Sequence, residues 1–333
     1  MKSGRNILAK VGPLAALVLF TFAVLFVRKE LRDVHYADLV ASLRAIPLQG
    51  LLLSALSVAI SYLGLTGIDT LGIRYAGSVL VYPRIALTSF IAFSVSNNFG
   101  FSAFTGGLIR YRLYTTFGVS PSQVVKVAGF CMITFWQGVL LLGGLALIWD
   151  PHSLPLPAFL HVNALELGLL LLAGFSAYAL AAFLLKKPLR FGNVEVTAPT
   201  PALVLGQICV SILDWGAAGA ALYFLLPAEL QTGLGGFLAV FIISQTFGLV
   251  SNVPGGTGVF EASMLLLLPH QTPRVELFAA LLAYRFAYYL APLATAALLL
   301  SGFEIFQRRI AFRRGLSWFR PGTGPAATAP TDS

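Results

Sequence analysis

The chain has 333 residues, 57% hydrophobic and 11% charged, against about 45–50% apolar and 25% charged in soluble domains, and that composition excludes a water-soluble globule. Its 22 Lys+Arg and 13 Asp+Glu leave a net charge of +9. The basic residues fall between apolar runs without interleaved aromatics, a pattern that argues against nucleic acid as a partner and for an anionic membrane surface.

A spanning helix takes about 20 apolar residues, and six segments meet that requirement: 11–27, 50–72, 124–148, 163–185, 202–226 and 276–301. The first follows Lys2, Arg5 and Lys10 and runs out through Val27-Arg28-Lys29-Glu30 without a small-residue cleavage site, so it reads as an uncleaved span. Two further apolar segments are interrupted. Segment 86–118 contains Ser96-Asn97-Asn98-Phe99-Gly100 and Thr105-Gly106-Gly107; segment 235–268 contains Ser251-Asn252-Val253-Pro254-Gly255-Gly256-Thr257-Gly258. Irregular backbone at membrane depth survives only where protein or a water-filled cavity satisfies it, so each is a span plus a loop or a re-entrant hairpin.

Cytoplasmic loops collect Lys and Arg, and this bias separates the two alternatives. Six spans plus two hairpins place Lys2, Arg5, Lys10, Arg74, Arg84, Arg110, Arg112, Lys126, Lys186, Lys187, Arg190, Arg308, Arg309, Arg313, Arg314 and Arg320 inside, 16 in all. Five remain outside: Arg28, Lys29, Arg32, Arg44 and Arg274. Eight full spans would instead divide them 10 to 11.

The expected fold is therefore an all-α polytopic membrane protein with about six full spans and two re-entrant broken-helix hairpins, eight hydrophobic segments in all, and both termini cytoplasmic. A weak repeat runs through it: Asp69 precedes Val95-Ser96-Asn97 and Gly106-Gly107, as Asp214 precedes Val250-Ser251-Asn252 and Gly255-Gly256. With three crossings per unit the second copy is inverted, a pattern typical of transporters. The halves are 1–150 and 151–314 of one membrane domain, 1–314, and 315–333 reads as a disordered tail too short for a catalytic domain.

Ionisable residues in hydrocarbon are costly and point to function. Arg285 and Asp214 both fall near the midplane, with a structural ion pair as the plain alternative. The glycine runs at 106–107 and 255–256 are expected to start half-helices whose free N–H groups favour a phosphate or carboxylate; tight turns and close packing are the alternative. Arg110 and Arg112 add cations to the first. Glu261 can hold a cationic headgroup, exchange a proton or pair with Arg285, and Asp69 can reach Arg74 or Arg110. Asn97, Asn98, Gln137, Gln245 and Asn252 line a cavity or bind helices together, and Tyr284, Tyr288 and Tyr289 contact a headgroup or pack. Gly138, Gly143, Gly144, Gly216 and Gly219 read as helix packing. Cys131 and Cys209 lack CxxC spacing and His35, His152, His161 and His270 are scattered, so neither a disulfide framework, a metal site nor a cofactor is expected.

The strings Ser96-Asn97-Asn98 to Gly107-Leu108-Ile109-Arg110-Tyr111-Arg112, Ser251-Asn252-Val253-Pro254-Gly255-Gly256-Thr257-Gly258-Val259-Phe260-Glu261 and Ala283-Tyr284-Arg285-Phe286 resemble the lysylphosphatidylglycerol synthase transmembrane (flippase) family over roughly residues 10–310. The resemblance implies an inner-membrane protein, not itself an enzyme, that moves lipids with modified headgroups between leaflets. Its implied partners are anionic or aminoacylated phospholipids, with hopanoids among the alternatives, and self-association or a separate synthase remain open. The aminoacyl-transferase domain of better-known members is not expected in this chain. The competing class is a membrane enzyme or enzyme subunit acting on lipid headgroups.

Overall fold

A computed structural model describes residues 21, 24–29, 35–99, 102–151, 163–185, 189–191, 194–227, 233–268 and 274–317. The N-terminal cations, the 152–162 loop, Lys186, Lys187, His270 and the 318–333 tail lie outside them, as does most of the first expected span, of which 21 and 24–27 are described and helical.

The helices are α1 (Tyr36–Ala45), α2 (Leu48–Tyr75), α3 (Tyr82–Asn98), α4 (Ser102–Thr116), α5 (Pro121–Trp149), α6 (Ala164–Leu184), α7 (Pro201–Tyr223), α8 (Leu234–Val250) and α9 (Val259–Leu267). The last, α10, runs from Arg274–Tyr284 through a π segment, Arg285–Leu290, into Ala291–Ser317. The chain is an all-α polytopic membrane protein. Among the described residues five helices are long and apolar enough to cross a bilayer: α2, α5, α6, α7 and α10. Each overlaps an expected span.

Helix ends coincide with local signals. Ser120 accepts the Gln123 amide and Gln123 accepts the Ser120 amide ahead of Pro121; Asn163 and Glu166 form the same reciprocal cap on α6, and Thr200 caps α7 ahead of Pro201. These side chains satisfy amide donors that the first helical turn leaves unpaired. Two short elements were not expected. Helix α1 packs on the start of α10, and a small antiparallel ribbon pairs Leu189–Phe191 with Val194–Val196 in the loop after α6.

Helices α2 and α7 form the central pair, brought together by small residues. A Cβ on Gly64 would lie 3.3 Å from the Asp214 backbone nitrogen, and one on Gly67 3.0 Å from Val210. The packing role expected for Gly138, Gly144 and Gly219 holds, since added Cβ atoms would strike Trp215, Leu172 and Leu238 respectively at under 3 Å. A Cβ on Gly143 would lie 3.3 Å from Ile242, tighter than an ordinary contact, whereas one on Gly216 would meet open space, so close packing does not require that glycine.

Each interrupted segment folds as two helices packed on one another: α3 with α4, and α8 with α9. Helix α3 also packs on α10, and α8 packs on the C-terminal half of α5. Both of those long helices contain a π segment, Val139–Gly143 in α5 and Arg285–Leu290 in α10.

One sequence expectation is corrected. Gly106 and Gly107 do not begin a half-helix, because α4 starts at Ser102 and carries both glycines in its second turn. Nothing at that point forces the backbone out of helix, and helices tolerate glycine at a cost of roughly 1 kcal/mol. The second hairpin differs: Pro254 and positive φ at Asn252, Gly255, Gly256 and Gly258 (54°, 61°, 59° and 81°) break the chain before α9 begins at Val259.

Candidate functional site

Three buried acids organise the interior. Asp69 on α2 is met by Arg110 from α4 in a two-pronged pair, Nε to Oδ1 at 2.9 Å and Nη2 to Oδ2 at 2.8 Å. Ser89 on α3 and Tyr114 on α4 each donate a further bond at 2.8 Å, and the Phe93 ring lies 4.4 Å beneath the guanidinium. Every carboxylate oxygen thus has two donors, the condition under which a buried charge pair is tolerated. The pair ties α2, α3 and α4 together and leaves Arg110 buried. Arg112, on another face of α4, is exposed and pairs with Glu304 on α10 at 2.5 Å, so the two arginines do not form one cationic cluster.

Glu261 stands in the first turn of α9. Its Oε2 accepts the Gly258 amide at 2.7 Å and its Oε1 accepts Arg285 Nε at 2.5 Å. A carboxylate there satisfies a free N–H and complements the helix dipole, so the anion at this helix start is the protein's own. Of the alternatives for Glu261, the pair with Arg285 is the one that forms. Arg285 Nη1 also donates to the Gly255 carbonyl, and the guanidinium stacks 4.6 Å from the Tyr289 ring. Its Nη2 is buried and has no hydrogen-bond partner among the described residues.

Asp214 on α7 has neither arrangement. Ser61 Oγ donates to Oδ1 at 2.6 Å and shares a 2.9 Å hydrogen bond with Tyr288 Oη; no cation pairs with Asp214 among the described residues. Tyr284, one turn before Tyr288 and stacked on it at 5.2 Å between centroids, keeps a buried hydroxyl that has no hydrogen-bond partner among the described residues.

An open crevice lies where the two hairpins turn, lined by Ser96, Asn97 and Phe99 from the first, Gln245, Asn252 and Gly255 among others from the second, and Tyr289 from α10. Gln245 is held by Tyr289 (2.6 Å) and Asn98 by the Ser94 and Tyr289 carbonyls (2.8 and 3.1 Å). A Cβ on Gly256 would sit 2.9 Å from Gly248 Cα, so only glycine permits this approach of the 3₁₀ turn to α8.

Of the residues singled out in the sequence, Asn97, Asn252, Gly255 and Gly256 line the crevice, with Glu261 and Arg285 behind its rim and Asn98 anchored beside it. Gly106 sits under Ser96, while Gly107 and Arg112 face elsewhere and Asp69, Arg110, Asp214 and Tyr284 are buried away from the lining. Sequence reasoning missed Ser61, Ser89 and Tyr114. For Ser61 a signal existed, because Ser54, Ser57 and Ser61 fall at helical spacing on one buried face of α2.

These features define a polytopic helical membrane protein with a polar crevice formed by two interrupted hairpins. The chain belongs to the family described as the Lysylphosphatidylglycerol synthase TM region, which it matches over residues 13–296. It is 36% identical to an uncharacterized protein of Synechocystis sp. over 304 residues, 90% of this chain and 94% of that one. It is 31% identical to the inner membrane protein YbhN of Escherichia coli over 253 residues, 74% and 77% of the two chains. A phosphatidylglycerol lysyltransferase of Staphylococcus aureus is 28% identical over 313 residues, 92% of this chain and 35% of that much longer protein.

Proposed function

We propose that the protein moves a lipid headgroup between the leaflets of the inner membrane without altering the lipid covalently. The observation that carries this reading is the meeting of both hairpin turns at one polar crevice beside the unpartnered Arg285 Nη2. A headgroup crossing hydrocarbon must exchange hydration for fixed dipoles, because charge at the midplane costs several kcal/mol. Asn97, Gln245 and Asn252 supply neutral dipoles, and Arg285 offers a donor to a phosphate oxygen. The acyl chains remain in lipid outside the crevice.

The packing of α3 on α10 and of α8 on α5 sets each hairpin against the closing helix of the other half, and both closing helices carry a π segment. This exchange supports re-entrant hairpins in two inverted repeats, 1–150 and 151–314, with both termini cytoplasmic. The name of the Escherichia coli relative supports the inner membrane, and that of the Staphylococcus relative suggests phosphatidylglycerol or its lysyl derivative as substrate. The same name supports a second reading, in which the chain presents phosphatidylglycerol to a separate synthase.

Purified protein in vesicles of phosphatidylglycerol and phosphatidylethanolamine, with headgroup-labelled phosphatidylglycerol and a membrane-impermeant quencher, tests the first reading. Quenching is expected to proceed past the outer-leaflet fraction. Quenching that stops there, as in protein-free vesicles, would sink lipid movement and leave the synthase reading standing.

A further inference from the structure

Asp214 is the buried acid that the crevice and both ion pairs leave unused. Asp69 and Glu261 each have an arginine; Asp214 has two hydroxyls in series. We propose that Asp214 is a reversible proton-binding site in the central helix pair, hydrogen-bonded through Ser61 to Tyr288, whose neighbour in the chain, Tyr289, lines the headgroup crevice.

The hydrogen-bond directions carry the argument. Ser61 has one proton to donate, and with Asp214 ionised it is committed to Oδ1, so the Tyr288 hydroxyl must donate to Ser61. When Asp214 takes up a proton, its own O–H donates to Ser61 and Ser61 turns to donate to Tyr288. The two arrangements of the row differ by one proton taken up at Asp214 and by the rotation of the Ser61 and Tyr288 hydroxyls, and Asp214 keeps Ser61 as a partner in both. The ionised arrangement places an uncompensated charge in a packed membrane core, which costs several kcal/mol, and the protonated one does not. A metal cation would need about six oxygen ligands, whereas Asp214 and Ser61 supply two side-chain groups, so the proton is the occupant that fits.

The row approaches the crevice through Tyr62. The Tyr62 hydroxyl donates to the Tyr288 carbonyl at 3.3 Å, its ring lies 5.8 Å from the Tyr288 ring, and it stands beside the side chain of Asn97, which lines the crevice. The Tyr284 hydroxyl, one helical turn from Tyr288, is a second polar group in the same core and has no hydrogen-bond partner among the described residues.

The other ionisable groups on the packed elements do not compete. Helix α2 carries Tyr62, Tyr75, the exposed Arg74 in its last turn and Asp69, the last neutralised by Arg110; α5 carries Lys126 and Cys131; α6 carries Glu166 and Tyr178, the latter bonded to Gln207. Helix α8 carries none. On α10, Arg285 is engaged by Glu261 and Gly255, Arg274 and Glu276 lie at its start, Glu304 pairs with Arg112, and Tyr284, Tyr288 and Tyr289 carry phenol hydroxyls, that of Tyr289 accepting from Gln245. On α7 itself Cys209 is exposed.

Infrared difference spectroscopy of the full chain in vesicles, titrated with acid, tests the site directly. A protonated-carboxyl C=O band is expected in the native protein, absent in Asp214→Asn and shifted in Ser61→Ala, which removes the partner and keeps the acid. Identical bands in all three proteins would overturn the proposal, as would a band that disappears in Asp69→Asn instead. The consequence for transport rests on the lipid-movement reading: labelled phosphatidylglycerol exchange should respond to an imposed pH gradient in the native protein and not in Asp214→Asn. A native protein without any lipid exchange refutes that reading while the spectra still decide the proton site; exchange with the same gradient response in both proteins refutes the coupling.

Discussion

Glu261 and Arg285, 24 residues apart, hold both ends of one turn. Glu261 takes the Gly258 amide and the Arg285 Nε, while Arg285 Nη1 reaches the Gly255 carbonyl, so the four-residue turn is closed into a ring by two side chains. Three glycines at positive φ lie within that ring. The geometry needs the fork of a guanidinium; a lysine keeps the charge but presents a single point donor. Arg285→Lys and Arg285→Ala should each lose at least one charge-assisted hydrogen bond, about 1.5–3 kcal/mol. The amides of Gly256, Thr257 and Gly258 should then exchange with solvent at least about tenfold faster, and lipid exchange should fall in parallel. Unchanged amide exchange in the lysine variant would show that the ring does not hold the turn.

Asp69 and Arg110 predict a different signature, because their role is to join helices. Asp69→Asn or Arg110→Met alone strands a buried charge and should destabilise the protein by about 3–5 kcal/mol, whereas replacing both by apolar residues of similar size should recover much of that. Thermal unfolding in one detergent across the single and double variants measures it. Additive losses in the double variant would argue against a mutually neutralising pair.

The bilayer-length runs made the five long helices legible to within a few residues, except at the C-terminal end of α10, which runs on past 301 to Ser317, since length and apolarity are what the membrane demands of a span. The breaks were legible as breaks, but not their form. Pro254 and its glycines force one, while Gly106 and Gly107 look alike in sequence and remain helical, because glycine permits a turn without requiring it. Short α1 escaped because it has neither the length nor the apolarity of a span. The partners of the acids were the least legible. Arg110 lies 41 residues from Asp69, and Asp214 has no arginine; nothing local to either aspartate distinguishes the two outcomes, which depend on which helices the fold brings together.

The glycines themselves offer a paired test. Gly107 lies within α4 with open space around its missing Cβ, so Gly107→Ala should be neutral or stabilise by up to about 1 kcal/mol through helix propensity. Gly256 combines a φ of 59° with a Cβ position 2.9 Å from the Gly248 backbone, and Gly256→Ala should cost at least about 1–3 kcal/mol from strain alone. Unfolding midpoints measured side by side should move in opposite directions or differ by that amount. Equal midpoints would mean that the turn relaxes away from α8 without cost.

The last prediction concerns the path of the first hairpin. Helices α3 and α4 have 17 and 15 residues, about 25 and 22 Å at 1.5 Å per residue, and they pack on one another instead of running end to end. A segment folded back in this way returns the chain to the side it left, so Val79 before α3 and Ser122 at the start of α5, both exposed, should face the same compartment. If that compartment is the cytoplasm, Arg74, Arg84, Arg112 and Lys126 join the basic side, as the positive-inside bias predicts. Val79→Cys and Ser122→Cys, in a background without Cys131 and Cys209, should both react with a membrane-impermeant maleimide in inside-out vesicles and neither in intact cells. Labelling of the two from opposite sides would turn 82–116 into a single crossing and remove the basis for the inverted repeat. Labelling of both from outside only would keep the hairpin and reverse the orientation of the whole protein.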